Sequence, residues 1–190
     1  MIQKKEMRKN VKRNVLWLTE TAVMLALLIT VQMVTKPMGQ IVTGTCVNAV
    51  LGITALVCGV VSGAIVALIS PIAAFLLGIA PQVLTVPAIM IGNFVLVWVL
   101  GWRSKNTKQI WISMLRCVCA AVAKFAVLYI LVVQVICHFA ADYFLQSGTL
   151  MPPMVKVLST TFAWPQLVTA LFGSLIATWI APLLRQVLHK

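Results

Sequence analysis

Residues 15–34 read Val15-Leu-Trp-Leu-Thr-Glu-Thr-Ala-Val-Met-Leu-Ala-Leu-Leu-Ile-Thr-Val-Gln-Met-Val34. As a helix rising about 1.5 Å per residue, this run is about 30 Å long, the thickness of a bilayer's hydrocarbon core. Six bases precede it, Lys4, Lys5, Arg8, Lys9, Lys12 and Arg13. A secretory signal also pairs a basic start with an apolar stretch, but that stretch is about 7–15 residues long and is followed by a mature domain. Here the run is longer and five more apolar runs follow, so it reads as a retained membrane span.

The other runs cover about residues 41–59, 63–79, 83–102, 110–137 and 162–184. Between the second and third lies only Gly59-Val-Val-Ser-Gly63, a reversal that glycine makes easy. The whole chain agrees with this reading. Of its 190 residues 62% are apolar and 9% charged, against about 45–50% and about 25% in soluble domains. Mean hydropathy is +1.04. So few charges cannot solvate a globule of this size, which excludes soluble, disordered and disulfide-scaffold classes. The expected fold is all-α: an integral membrane bundle of six transmembrane helices. Residues 1–14 form a basic cytoplasmic segment, 15–184 the membrane domain and 185–190 a short cytoplasmic tail.

Charge sets the orientation. The net charge is +12, but the bases sit between apolar runs, which points to membrane topology rather than to nucleic acid. With the N-terminus inside, the cytoplasmic segments hold the six tail bases, Arg103, Lys105, Lys108, Arg185 and Lys190, and the outer segments only Lys36 and Lys156. Both termini are therefore expected in the cytoplasm of a multi-pass plasma-membrane protein. Trp102 and Trp111 flank the inner loop and Trp164 sits near the outer end of the last span, as interfacial aromatics do. The longest connection, residues 138–159, falls outside and has the length of a functional lid.

The acids are Glu6, Glu20 and Asp142, too few for a carboxylate-paired hydrolase, a two-metal site or an acid-driven proton relay. Phosphate-loop, zinc-helix and nucleophile-elbow motifs are missing. No cofactor or metal is expected. Of the five cysteines, Cys117 and Cys119 stand about 200° apart around a helix, so they cannot hold one ion together, and all five read as packing residues.

Lys124 is the sharpest feature. A charge near the middle of a span costs about 2.5–3.5 kcal/mol on insertion scales, and the predicted spans offer no acid but Glu20 at the far end of the first. The ammonium must snorkel, meet oxygens of neighbouring helices or receive an anionic ligand. Leu131 and His138 follow it at sevens and share its helical face. Asn48, Ser70, Gln82, Asn93, Gln134 and Gln166 lie mostly in the outer half, with Thr43 and Thr45 nearby. Buried amides need partners, which a helix or a ligand in an outward-facing pocket can supply. In the first span, Ala22 and Ala26 leave a shallow strip that another helix can approach closely.

Taken in order, Ala22-x-x-x-Ala26, Asn48-Ala-Val-Leu through Gly63-Ala-Ile-Val-Ala-Leu-Ile-Ser-Pro71, Ala120-Ala-Val-Ala-Lys124-Phe and Trp164-Pro-Gln-Leu-Val-Thr-Ala170 resemble the substrate-binding S components of energy-coupling factor (ECF) vitamin transporters. The resemblance spans nearly the whole chain. It implies a non-enzymatic subunit that captures a vitamin-like small molecule from outside and docks to a coupling membrane subunit driven by two ATPase subunits. Ala22 and Ala26 would form the docking strip. Asn48, Gln82, Asn93, Lys124, His138, Trp164 and Gln166 are the candidate substrate-binding residues. Two rivals stand beside it: a self-sufficient secondary transporter, and a membrane enzyme acting on lipid head groups, which the acid-poor composition disfavours.

Overall fold

A computed structural model of the chain describes residues 2–79, 82–102 and 110–188. Arg103, Lys105, Lys108 and Lys190 of the charge asymmetry lie outside the described residues, as do the side chains of Lys4, Lys5, Arg8 and Lys9. The described residues are helical throughout, joined by short turns and without strands.

Helix α1 (Ile2–Thr35) leads through a 3-10 turn (Lys36–Met38) into α2 (Gln40–Val57), and α3 spans Val60–Leu76. A second 3-10 turn (Val83–Thr85) opens α4 (Val86–Gly101). Helix α5 (Ile110–Leu128) continues as a π-helix (Tyr129–Phe139), followed by the short α6 (Ala141–Gln146), then α7 (Pro152–Thr161) and α8 (Trp164–Leu188). Helices α4 and α7 carry proline in their first turn, where the missing N–H would have had no helical partner.

Five stretches are long and apolar enough to cross a membrane: Asn10–Met38, Gln40–Val57, Val83–Gly101, Trp111–Phe139 and Pro152–Val187. The expected third span folds as the shorter α3, of 17 residues. The reversal before it is tighter than the sequence reading had it. The chain turns at Cys58 and Gly59, and Gly59 takes a φ of 104° that glycine alone adopts without strain. Gly63 lies beyond the turn, inside α3, where an added Cβ would come within 2.7 Å of Val97 and 3.1 Å of the Ala55 backbone. The basic N-terminal segment is, from Ile2, the first part of α1. At about 1.5 Å per residue that helix is about 51 Å long, well over a bilayer core.

Consecutive apolar helices run in opposite directions. The C-terminal parts of α1, α3 and α5 meet the N-terminal parts of α2, α4 and α8 at one end of the bundle, and Leu56, Leu100, Ser113 and Arg185 converge at the other. Helix α2 lies at the centre, packed on α1, α3, α4 and most extensively on α8. Lipid is as apolar as leucine, so helices associate there by close packing and hydrogen bonds rather than by hydrophobic burial. The α2–α8 seam shows how. Gly44, Asn48 and Gly52 on α2 face Thr169, Gly173 and Ala177 on α8, each set spaced by four. A Cβ on Gly52 would sit 2.6 Å from that of Ala177, so only glycine admits this approach.

Polar ties supplement the packing. The Thr21 hydroxyl donates to Ser62 Oγ (2.9 Å), joining α1 to α3. Arg185 donates through Nε (2.8 Å) and Nη2 to the Leu56 carbonyl, which closes the C-terminal end of α2. Helix α1 is otherwise peripheral: its apolar stretch is 11% buried against 33–44% for the other four.

The long connection after α5 is folded rather than loose. Leu150, Leu158 and Phe162 are buried against Ala88, Leu128, Val132, Val133 and Cys137. This apolar cluster seats α7 against the π-helix that extends α5 and near the start of α4, at the end of the bundle where α1, α3 and α5 finish.

Candidate functional site

Lys124 sits on α5 with 3% of its surface exposed. Its Nζ donates to Asn48 Oδ1 on α2 (2.5 Å) and to Asn93 Oδ1 on α4 (2.6 Å). Both asparagines are themselves buried. Asn48 in turn donates through Nδ2 to Thr169 Oγ1 on α8 (3.4 Å), and the Thr169 hydroxyl donates to the Gln166 carbonyl (3.2 Å). Four helices are thus drawn to one ammonium group. Its environment settles two of the three fates open to it: Lys124 does not snorkel, and oxygens of other helices meet it. Amide oxygens solvate a cation but do not neutralise it.

Beside Lys124 lies a cavity of about 130 Å³. Its polar lining comes from Gln32, Gln40, Thr43, Asn48, Asn93, Lys124, Thr161 and Gln166, and its apolar lining includes Val47, Ile89, Leu128 and Phe162. No acid is among the lining residues. Gln32 Oε1 is buried and has no hydrogen-bond partner among the described residues. Pro71 on α3 also borders the space, and because a proline has no N–H the Ala67 carbonyl lacks its usual helical donor.

Several ties close the cavity's end of the bundle. Lys36 Nζ donates to the Gly78 carbonyl (2.5 Å), binding the α1–α2 turn to the end of α3. The Thr43 hydroxyl donates to the Thr35 carbonyl (2.8 Å) across the turn between α1 and α2. Phe162, at the end of α7, packs over Leu128 and roofs one side.

Of the seven binding residues proposed from sequence, Asn48, Asn93, Lys124 and Gln166 converge on this cavity. Gln82, His138 and Trp164 do not. Gln82 Nε2 donates to the Thr149 carbonyl (2.7 Å) and so holds the turn after α6 against the start of α4. Trp164 is 63% exposed at the first turn of α8, the position of an interfacial anchor. His138 is exposed because Tyr129–Phe139 is a π-helix. Its i→i+5 turns are wider than α-helical ones, so the seven-residue register that places Lys124, Leu131 and His138 on one face is lost past Leu128.

Gln32 was missed from sequence, although a glutamine between Val31 and Met33 of the first span was a usable signal. Thr161 and Phe162 carried no local signal, since only the folding-back of α7 brings them to the cavity. The alanine strip is open: Ala22 and Ala26 are both exposed on α1, beside the exposed Val23 and Leu27.

Compared with known proteins, the chain matches no family model, no curated protein and no solved structure.

Proposed function

We propose that this chain is the substrate-binding membrane subunit of an ECF-type ATP-driven importer. It captures a vitamin-like micronutrient in the cavity beside Lys124 and docks to a coupling transmembrane subunit that carries two ATPase subunits. In this reading α3 is the sixth crossing, since 17 residues reach the lower end of the range that spans a bilayer. Both termini then lie in the cytoplasm of a cell whose plasma membrane holds the protein, and the cavity opens outside. Energy comes from the partners, and the chain itself performs no catalysis.

The observation that carries the proposal is the cavity itself. A small space lined by uncharged amides and one buried lysine sits at the bundle end opposite the basic start of α1. It has the makings of a binding site: mostly apolar walls with a few convergent polar groups. The peripheral α1, with Ala22 and Ala26 uncovered, supplies a face on which a second membrane protein can pack closely.

The test is purification of the tagged chain from its native host in mild detergent. A coupling subunit and ATPases should come with it, and ATP should drive uptake when the complex is reconstituted in liposomes. Uptake by the isolated chain under an ion gradient, without ATPases, would replace this reading with a self-sufficient secondary transporter.

A further inference from the structure

The donors and acceptors around the cavity are unevenly satisfied, and the imbalance describes the missing occupant. An ammonium group has three N–H donors. Two of Lys124's go to Asn48 and Asn93, and no other hydrogen bond of Nζ is present among the described residues. In its charged form Lys124 is enclosed, and no carboxylate lines the space to balance it. In the same lining Gln32 Oε1, on a side chain only 8% exposed, is an acceptor with nothing to accept among the described residues. Ile89, Leu128 and Phe162 add apolar lining to the same space. Buried groups of this kind are costly to leave unpaired, the charged one most of all.

We infer that the site takes a compact monoanion: a carboxylate that receives the remaining Lys124 N–H, on a body of about one ring bearing an N–H or O–H donor for Gln32 Oε1. The inference rests on the proposed substrate-binding role and adds to it the charge, the size and the polar pattern of the ligand. The size follows from the volume. An apolar cavity of about 150 Å³ holds one benzene molecule; this one measures about 130 Å³ and is partly open, so one small ring nearly fills it and its substituents reach the polar lining or the opening. Large conjugates and dinucleotides exceed the space enclosed among α1, α2, α3, α4, α5 and α8. Neutral ligands fit sterically but leave the ammonium without a counter-charge.

The experiment uses the full chain in lipid nanodiscs and a set of matched probes. These are benzoate, 4-aminobenzoate, pyrrole-2-carboxylate and short aliphatic hydroxy acids, each beside its primary amide, with binding read by calorimetry and thermal shift. At least one acid should bind, and its amide should bind at least about 100-fold more weakly, as sites built around a charged hydrogen bond discriminate. Lys124→Met should abolish binding of that acid. Should Lys124→Met misfold, Asn93→Asp serves instead: it keeps the lysine but gives it an internal carboxylate, which should displace the ligand. Equal binding of acid and amide, acid binding that survives Asn93→Asp, or no binding by any acid of the set would each overturn the inference. Failure of the transporter reading is separate, because it shows in co-purification. Acid binding without coupling partners would sink that reading and leave the ligand class standing.

Discussion

Gly173 on α8 lies so close to Asn48 on α2 that a methyl group in place of its hydrogen would come within 2.5 Å of the asparagine's Cβ. The same methyl would meet the Thr45 carbonyl at 2.7 Å and the Ala49 nitrogen at 2.8 Å. Two of the three obstacles are backbone, which cannot rotate aside. The glycine therefore sets the distance between the two helices, and with it the height at which Asn48 Oδ1 meets Lys124. Packing and site are one structure at this point.

Gly173→Ala should accordingly destabilise the protein by about 1–3 kcal/mol, the usual cost of overpacking. Gly44→Ala should cost less, because its obstacle is the Thr169 side chain at 3.0–3.2 Å. Thermal unfolding of the two variants in detergent checks the order. Equal midpoints would mean that the α2–α8 seam yields more easily than its geometry implies.

Asn93 can be changed in two opposite senses. Asn93→Leu removes one of the two acceptors of a buried ammonium, and hydrogen bonds to charged groups contribute about 1.5–3 kcal/mol, so the unfolding midpoint should fall. Asn93→Asp places a carboxylate at the same position and should hold or raise the midpoint. A midpoint that falls as far for aspartate as for leucine would contradict the view that the Lys124 charge lacks compensation.

Ala22→Leu and Ala26→Leu should weaken recovery of a coupling subunit several-fold while leaving thermal stability within about 0.5 kcal/mol, as surface changes do. Both alanines are exposed on α1, so the added bulk fills a strip that a partner helix would need for close packing. Val187→Ala, at a 74% exposed position on α8, is the control and should leave recovery unchanged. Loss of recovery in all three would place the docking surface elsewhere.

The direction of insertion is open to labelling. In a variant with its five cysteines replaced, a cysteine at Gln146, the last residue of α6, should react with a membrane-impermeant maleimide on intact cells. A cysteine at Met7, in the basic start of α1, should react only after permeabilisation. The reverse pattern would put the cavity on the cytoplasmic side.

Lys124 was legible in the sequence as a charge without a partner, and Asn48, Asn93 and Gln166 as amides at membrane depth. Each stood out against an apolar background, which is a property of a residue and its immediate neighbours. His138 was placed wrongly because its position was counted along an α-helix, and the π-helical turns from Tyr129 onward are invisible in composition. Gln82 and Trp164 have the chemistry of binding residues but stand one layer outside the cavity. The α2–α8 seam went unread although it is built from small residues at four-residue spacing, while Ala22 and Ala26, which show the same pattern and were singled out, lie on the exposed face of α1.

The sequence by itself determined that the protein is helical, that it lives in a membrane, and that its one deeply placed lysine lacks an acid. Hydropathy and charge sum along a chain, and a bilayer reads that sum directly. Which residues converge on the lysine was decided only in three dimensions. Helices of nearly equal apolarity have no hydrophobic reason to prefer one neighbour or one rotation over another. The choice falls to close contacts such as Gly52 against Ala177 and Gly173 against Asn48, and these exist only once the bundle has formed.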